Sequence, residues 1–83
     1  MPTLITALNT QFAPTKTAFA VQVSGGTCYL ERRQTAGAAW VPIQAPNGKA
    51  VMTTGGYDIT NVAVGSQYRF VPVSGNPVVQ ADE

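Results

Sequence analysis

Turn signals recur along this chain, and from Ala45 onward the stretches between them are too short for helices of ordinary length. Ser24-Gly25-Gly26, Ala45-Pro46-Asn47-Gly48, Thr54-Gly55-Gly56, Val64-Gly65-Ser66 and Ser74-Gly75-Asn76-Pro77 all combine residues that accept positive φ or preset a turn. The stretches between them alternate rather than follow a helical period. From Thr17 onward, Phe19, Val21 and Val23 alternate with Ala18, Ala20 and Gln22, which is the period of a half-buried strand. Short strands punctuated in this way build antiparallel sandwiches or barrels. The expected fold is therefore all-β: a small antiparallel β-sandwich, Ig-like or Greek-key, of about six or seven strands with an N-terminal arm.

Taken in order, Ser24-Gly25-Gly26 is expected to turn the first strand into a second, Thr27 to Arg33. Alternation sets Cys28, Leu30 and Arg32 on one face of it and Tyr29, Glu31 and Arg33 on the other. A loop from Gln34 to Ala39 leads to a short strand, Trp40 to Ile43, placed at an edge or bulge because Pro42 has no ladder donor. Trp40, the one tryptophan, is expected to anchor the core beside Leu30. After the Pro46-Asn47 turn, a strand from Lys49 to Thr53 points Val51 inward. The next, Tyr57 to Val62, sets Tyr57, Ile59 and Asn61 on one face. A strand from Gln67 to Val73 points Tyr68 and Phe70 inward and Arg69 outward. A last strand, Val78 to Ala81, precedes an exposed Asp82-Glu83. Val64-Gly65-Ser66-Gln67-Tyr68 has the form of a tyrosine corner, in which the hydroxyl bonds upstream backbone and pins a crossover.

Residues 1–16 differ from this pattern and are set apart as an arm, with residues 17–83 as the sandwich domain. Leu4, Ile5, Leu8 and Phe12 have the spacing of one helical face, but the Thr, Asn and Pro among them oppose a helix. An extended arm follows, which either packs on its own domain or reaches a neighbouring subunit.

The totals narrow the function. Eighty-three residues make one domain. A chain of that size buries only about 60–65% of its unfolded surface and needs support. One Cys and no His exclude an internal disulfide and a zinc site, which leaves oligomerisation or docking on a larger partner. With 11% charged residues and a net charge of +1, no basic surface for nucleic acid is expected. Met1-Pro2-Thr3-Leu4-Ile5 does not resemble a signal peptide, and no apolar run approaches membrane-spanning length. Synthesis in the cytoplasm and no membrane partner are the expectations. Of the acidic residues, Glu31, Asp58, Asp82 and Glu83, none forms a paired-carboxylate signature. Cys28 has no His to activate it. No catalytic, cofactor or metal site is expected. Arg32, Arg33 and Arg69 form a small patch suited to a protein contact if their strands are neighbours.

The order of these parts resembles a group of small virion proteins of tailed bacteriophages. Val-Gln-Val-Ser-Gly leads to Cys-Tyr-Leu-Glu-Arg, then a loop, Ala-Ala-Trp-Val-Pro-Ile, and finally Val-Gly-Ser-Gln-Tyr-Arg-Phe. Over roughly residues 19 to 75, Leu30, Arg32, Trp40, Gly65, Tyr68, Arg69 and Phe70 fall on the family pattern. Cys28 stands where Val or Thr is usual, and Ala39 where Thr is usual. The resemblance implies a structural protein of the particle with no enzymatic activity. Its leading form is a capsid decoration (cement) protein on the virion surface, made in the host cytoplasm. It would bind across subunits of the major capsid protein or another virion protein, as a homo-oligomer such as a trimer. The alternative is a tail, fibre or adaptor module that binds a virion partner or a host-surface glycan; Tyr29, Tyr57, Asp58 and Asn61 are the residues available for a sugar. The interaction residues expected for the leading form are Leu4, Ile5, Leu8 and Phe12 of the arm, with Arg32, Arg33 and Arg69.

Overall fold

A computed structural model describes residues 3–45, 48–49 and 51–83. The described residues form eight strands: β1 (Thr3–Ile5), β2 (Phe19–Arg33), β3 (Val41–Pro42), β4 (Gln44–Ala45), β5 (Gly48–Lys49), β6 (Val51–Met52), β7 (Gly55–Ile59) and β8 (Gln67–Asp82). All pairings are antiparallel. No helix is long and apolar enough to cross a membrane among the described residues.

β2 is the central strand. β8 lines one edge of it, from Ala20↔Asp82 to Arg33↔Gln67. The other edge carries β7 against Phe19 to Val23, β6 against Cys28 and Tyr29, and β3 against Glu31 and Arg32. After β2 the chain therefore turns through the exposed Gln34–Ala39 loop and runs back along β2, with one excursion into the β4–β5 hairpin. The Pro46-Asn47 turn expected there lies outside the described residues, though Ala45 pairs with Gly48 on either side of it.

Three expected turns are absent; at Thr54-Gly55-Gly56 the chain does not reverse but continues along β2 from β6 into β7. Ser24-Gly25-Gly26 and Ser74-Gly75-Asn76-Pro77 lie inside β2 and β8, so two predicted hairpins are one long, bent ribbon. The bend is built from bulges. Between Ser24↔Val78 and Gly26↔Gly75, and again between Thr27↔Ser74 and Cys28↔Pro72, β8 uses one residue more than β2. Gly25 and Gly75 have φ of 79° and 68°, and they meet face to face. A Cβ on Gly26 would lie 2.5 Å from the Ser74 carbonyl oxygen. Only glycines let the two backbones approach this closely while bending.

The bend also changes which face is buried. Phe19, Val21 and Val23 are buried before it, and Cys28 and Leu30 after it. Val23 and Cys28 are an odd number of positions apart, so an unbroken pleat would point them to opposite faces. On β8 the same flip separates Tyr68 and Phe70 from Val79 and Ala81. Both halves of the sheet thus feed one core, in which the Phe19 and Tyr68 rings meet edge to face at 6.1 Å.

The N-terminal segment joins that core. β1 pairs with the end of β8, and Phe12 exchanges both backbone hydrogen bonds with Tyr68 at 2.8 Å. Its ring stacks on Phe70 at 5.5 Å and meets Phe19 edge-on at 5.7 Å. Leu4, Ile5 and Leu8 pack against the core rim, so of the two readings of the arm the observed one is packing on its own domain. The expected exposed tail is also held. The Glu83 carboxylate accepts the Thr15 hydroxyl at 2.6 Å and the backbone N–H groups of Thr15 and Lys16 at 2.9 and 3.1 Å. The expected strand through Val62 ends at Ile59, and Asn61 is exposed with φ of 56°. Val51 is exposed, and its neighbour Met52 is the buried residue.

Two predictions follow from this architecture. Gly26→Ala should destabilise the fold by about 2 kcal/mol or more, because the new methyl meets backbone. Gly56→Ala, whose Cβ would have 4.0 Å of clearance, should stay within about 0.5 kcal/mol; denaturant midpoints compare the two. The bonds to Glu83, with the Thr15 hydroxyl foremost, hold its carboxyl below the usual carboxylate range despite the opposing cost of burial. A depressed folded-state value means stability that is complete above the ordinary glutamate range and is lost as pH falls through the depressed value. Glu83→Gln should remove that part of the acid sensitivity, read from melting temperatures between about pH 7 and pH 3.

Candidate functional site

The outward face of the second half of the ribbon carries two of the chain's five cations, Arg33 and Arg69. Register places Glu31 opposite Arg69 and Arg33 opposite Gln67, all on the face away from Leu30 and Phe70. Glu31 is buried and accepts the Arg69 Nε–H at 2.7 Å. Arg33 donates from Nε to Gln67 Oε1 at 2.6 Å and from Nη2 to Gln11 Oε1 at 2.8 Å. Both acceptors are neutral amides, so they orient the guanidinium without compensating its charge. Arg32 lies across from Tyr68, half-buried, and its Nε has no hydrogen-bond partner among the described residues.

Trp40 completes this corner. It was expected in the core beside Leu30, but it is half-buried at the end of the 34–39 loop, outside the core. The guanidinium carbons of Arg33 and Arg69 lie 4.7 and 4.3 Å from its ring centroid. Two arginines on one indole are a cation–π pair that holds both groups in place. The core has no need of the ring, because Phe12 supplies an aromatic group there.

Of the residues singled out from the sequence, the structure therefore brings Arg33 and Arg69 together on Trp40, while Arg32, across from Tyr68, lies on the other face of β2. Leu4, Ile5, Leu8 and Phe12 are held in or against the core. Gln11, Glu31, Trp40 and Gln67 were missed as parts of the corner. Gln67 and Arg69 flank Tyr68, so their shared outward face was available from strand alternation. The contribution of Gln11, from a distant segment, was not.

The other outward surface is a shallow cleft of about 570 Å³ over the first half of the ribbon, lined by Gln22, Gln80, Asp58, Asp82 and Tyr57 among others. Asp58 and Asp82 flank Ala20 across three strands. Tyr29 and Asn61, the other residues considered for a sugar, are not among its lining residues. No group of three or more His, Cys, Asp or Glu able to hold a metal ion occurs among the described residues. Cys28 is fully buried, and desolvation pushes its thiol up, away from the reactive thiolate. The corner hydroxyl of Tyr68 accepts the Ala63 N–H at 3.0 Å, as the tyrosine-corner reading expects.

The corner's position sets an expectation for Trp40. Trp40→Ala should cost only about 1–2 kcal/mol, against about 2–5 kcal/mol for the buried Leu30→Ala. In the native protein, acrylamide should quench Trp40 fluorescence; a fully protected indole would contradict its placement. Comparison with protein-family models, with curated proteins and with solved structures finds no match to this chain.

Proposed function

We infer that this chain is a structural interaction protein of a tailed-bacteriophage virion, in its most specific form a capsid decoration protein. The folded-over sheet then serves as a small Ig-like sandwich that carries a binding corner. The observation that bears most weight is that corner: Arg33 and Arg69 held on Trp40, with one carboxylate, Glu31, paired to Arg69. Aromatic and arginine side chains that are ordered before binding are the groups that dominate protein–protein contacts. The resemblance supports the same surface, since Trp40 and Arg69 fall on the family pattern. A decoration protein acts by joining neighbouring shell subunits, so many modest contacts repeated by symmetry give large avidity.

With the N-terminal segment built into the core, the corner replaces the arm as the shell anchor in this reading. A second reading, a glycan-binding fibre module, draws on the cleft with Asp58, Asp82, Gln22 and Gln80.

The test adds purified protein to undecorated phage heads and measures bound copies and the temperature of DNA release. Binding in hundreds of copies with a raised release temperature, both lost in Arg33→Glu, is the expected result. Binding of a dozen or fewer copies, or none, overturns decoration. Saturable binding to host-surface oligosaccharide, lost in Asp58→Asn, would favour the second reading.

A further inference from the structure

We propose that the cleft between the end of β2 and the 34–39 loop binds a side-chain carboxylate from an acidic segment of the partner protein. This rests on the reading of this chain as a protein that docks on a partner, and the cleft adjoins the Trp40 corner through Arg33. The cleft is about 330 Å³ and is lined by Arg32, Arg33, Gln34, Ala38, Ala39 and Val41. No acidic residue lines it. Arg33 is oriented by two neutral amides, which leave Nη1 and part of Nη2 without an acceptor among the described residues. The Arg32 Nε makes no hydrogen bond among the described residues and is shut off from solvent. The nearest carboxylate, Glu31, is occupied by Arg69. The two arginines among the residues lining the cleft, Arg32 and Arg33, have no carboxylate beside them there, in a chain whose total charge is +1.

Guanidiniums match the planar carboxylate with paired N–H donors. The remaining walls favour a carboxylate on a short aliphatic stem. Ala38, Ala39 and the exposed Val41 are apolar, and a monoanion on a methylene stem loses less hydration there than a phosphate dianion. Duplex DNA needs a broader basic surface than three arginines.

The probe is a short peptide of glutamates interspersed with leucines, compared with the same peptide carrying glutamine for glutamate. Calorimetry and Trp40 fluorescence report binding to the full chain. The glutamate peptide should bind saturably, weaken with added salt, and lose at least about tenfold in affinity with Arg32→Gln. Arg33→Lys, which keeps the charge and removes the fork, should lose less than Arg32→Gln but remain measurably weaker than the unaltered chain. Thermal melts establish that each variant is folded, and Arg32→Lys serves if Arg32→Gln is not. Equal binding of the glutamine peptide, full affinity in a folded Arg32 variant, or tighter binding of inorganic phosphate or duplex DNA overturns the proposal. Heads that bind the Arg32 variant normally would remove the cleft and leave decoration standing. Peptide binding without head binding would do the reverse.

Discussion

The whole structure depends on one close approach, the crossing of Gly25 and Gly26 with Gly75 where the central ribbon bends. A straight strand from Phe19 to Arg33 would be about 46 Å long. Yet β7 ends beside Phe19 and β8 begins beside Arg33, and residues 60–66 must join them. That link reaches at most about 27 Å. The topology is possible only if β2 folds back, which agrees with overall dimensions of 30 × 28 × 24 Å. The glycines permit the fold, and the register steps beside them turn the apolar residues of both halves toward each other.

Once the ribbon is bent, its two ends need to be held together, and three separate segments do so. Phe12 inserts between Phe19 of one half and Phe70 of the other. The Tyr68 hydroxyl bonds the link at Ala63, and the Val62 N–H donates to the Thr17 carbonyl at 2.9 Å. Glu83 ties the end of β8 to Thr15 and Lys16. A domain of this size has little core to spare, so polar fasteners at the open end have more weight than they would in a larger protein. They also explain why the N-terminal segment, apolar and almost without charge, stays with its own chain: its side chains fill the gap between the ribbon's ends.

Much of this was legible in the sequence, and the rest fails for identifiable reasons. Period-two alternation revealed the strand character and the inward faces of Phe19, Val21, Val23, Leu30, Tyr68 and Phe70, because alternation is a local property of the pleat. The corner at Tyr68 was readable from the Val64-Gly65-Ser66-Gln67-Tyr68 spacing, a local motif as well. Whether Gly25-Gly26 turns the chain or bulges it was not, since positive φ serves both and the choice depends on a distant partner, Gly75. Trp40 was assigned to the core by size alone. Its site was settled by two cations that register brings to the outer face and by Phe12, which fills the core from a distant segment. Val51 and Met52 exchanged faces because β6 is only two residues long, too short for its own alternation to outweigh its pairing with Cys28 and Tyr29.

The same division accounts for the chemistry of the surface. Core positions occupy the inward face of both long strands, so the second half's outward face is free to hold groups that add nothing to the core. Arginines there would ordinarily be mobile and hydrated, and ordering them on binding would cost side-chain entropy. In this chain that ordering is already present: Gln67 and Gln11 fix one guanidinium, Glu31 fixes another, and Trp40 lies against both. Using amides in place of carboxylates for Arg33 keeps its charge available to a partner. Had both arginines been paired with acids, the corner would be equally ordered but electrically quiet. The chain's low total charge therefore does not describe its surface evenly, because Arg33 keeps an uncompensated charge on this face while Glu31 pairs with Arg69.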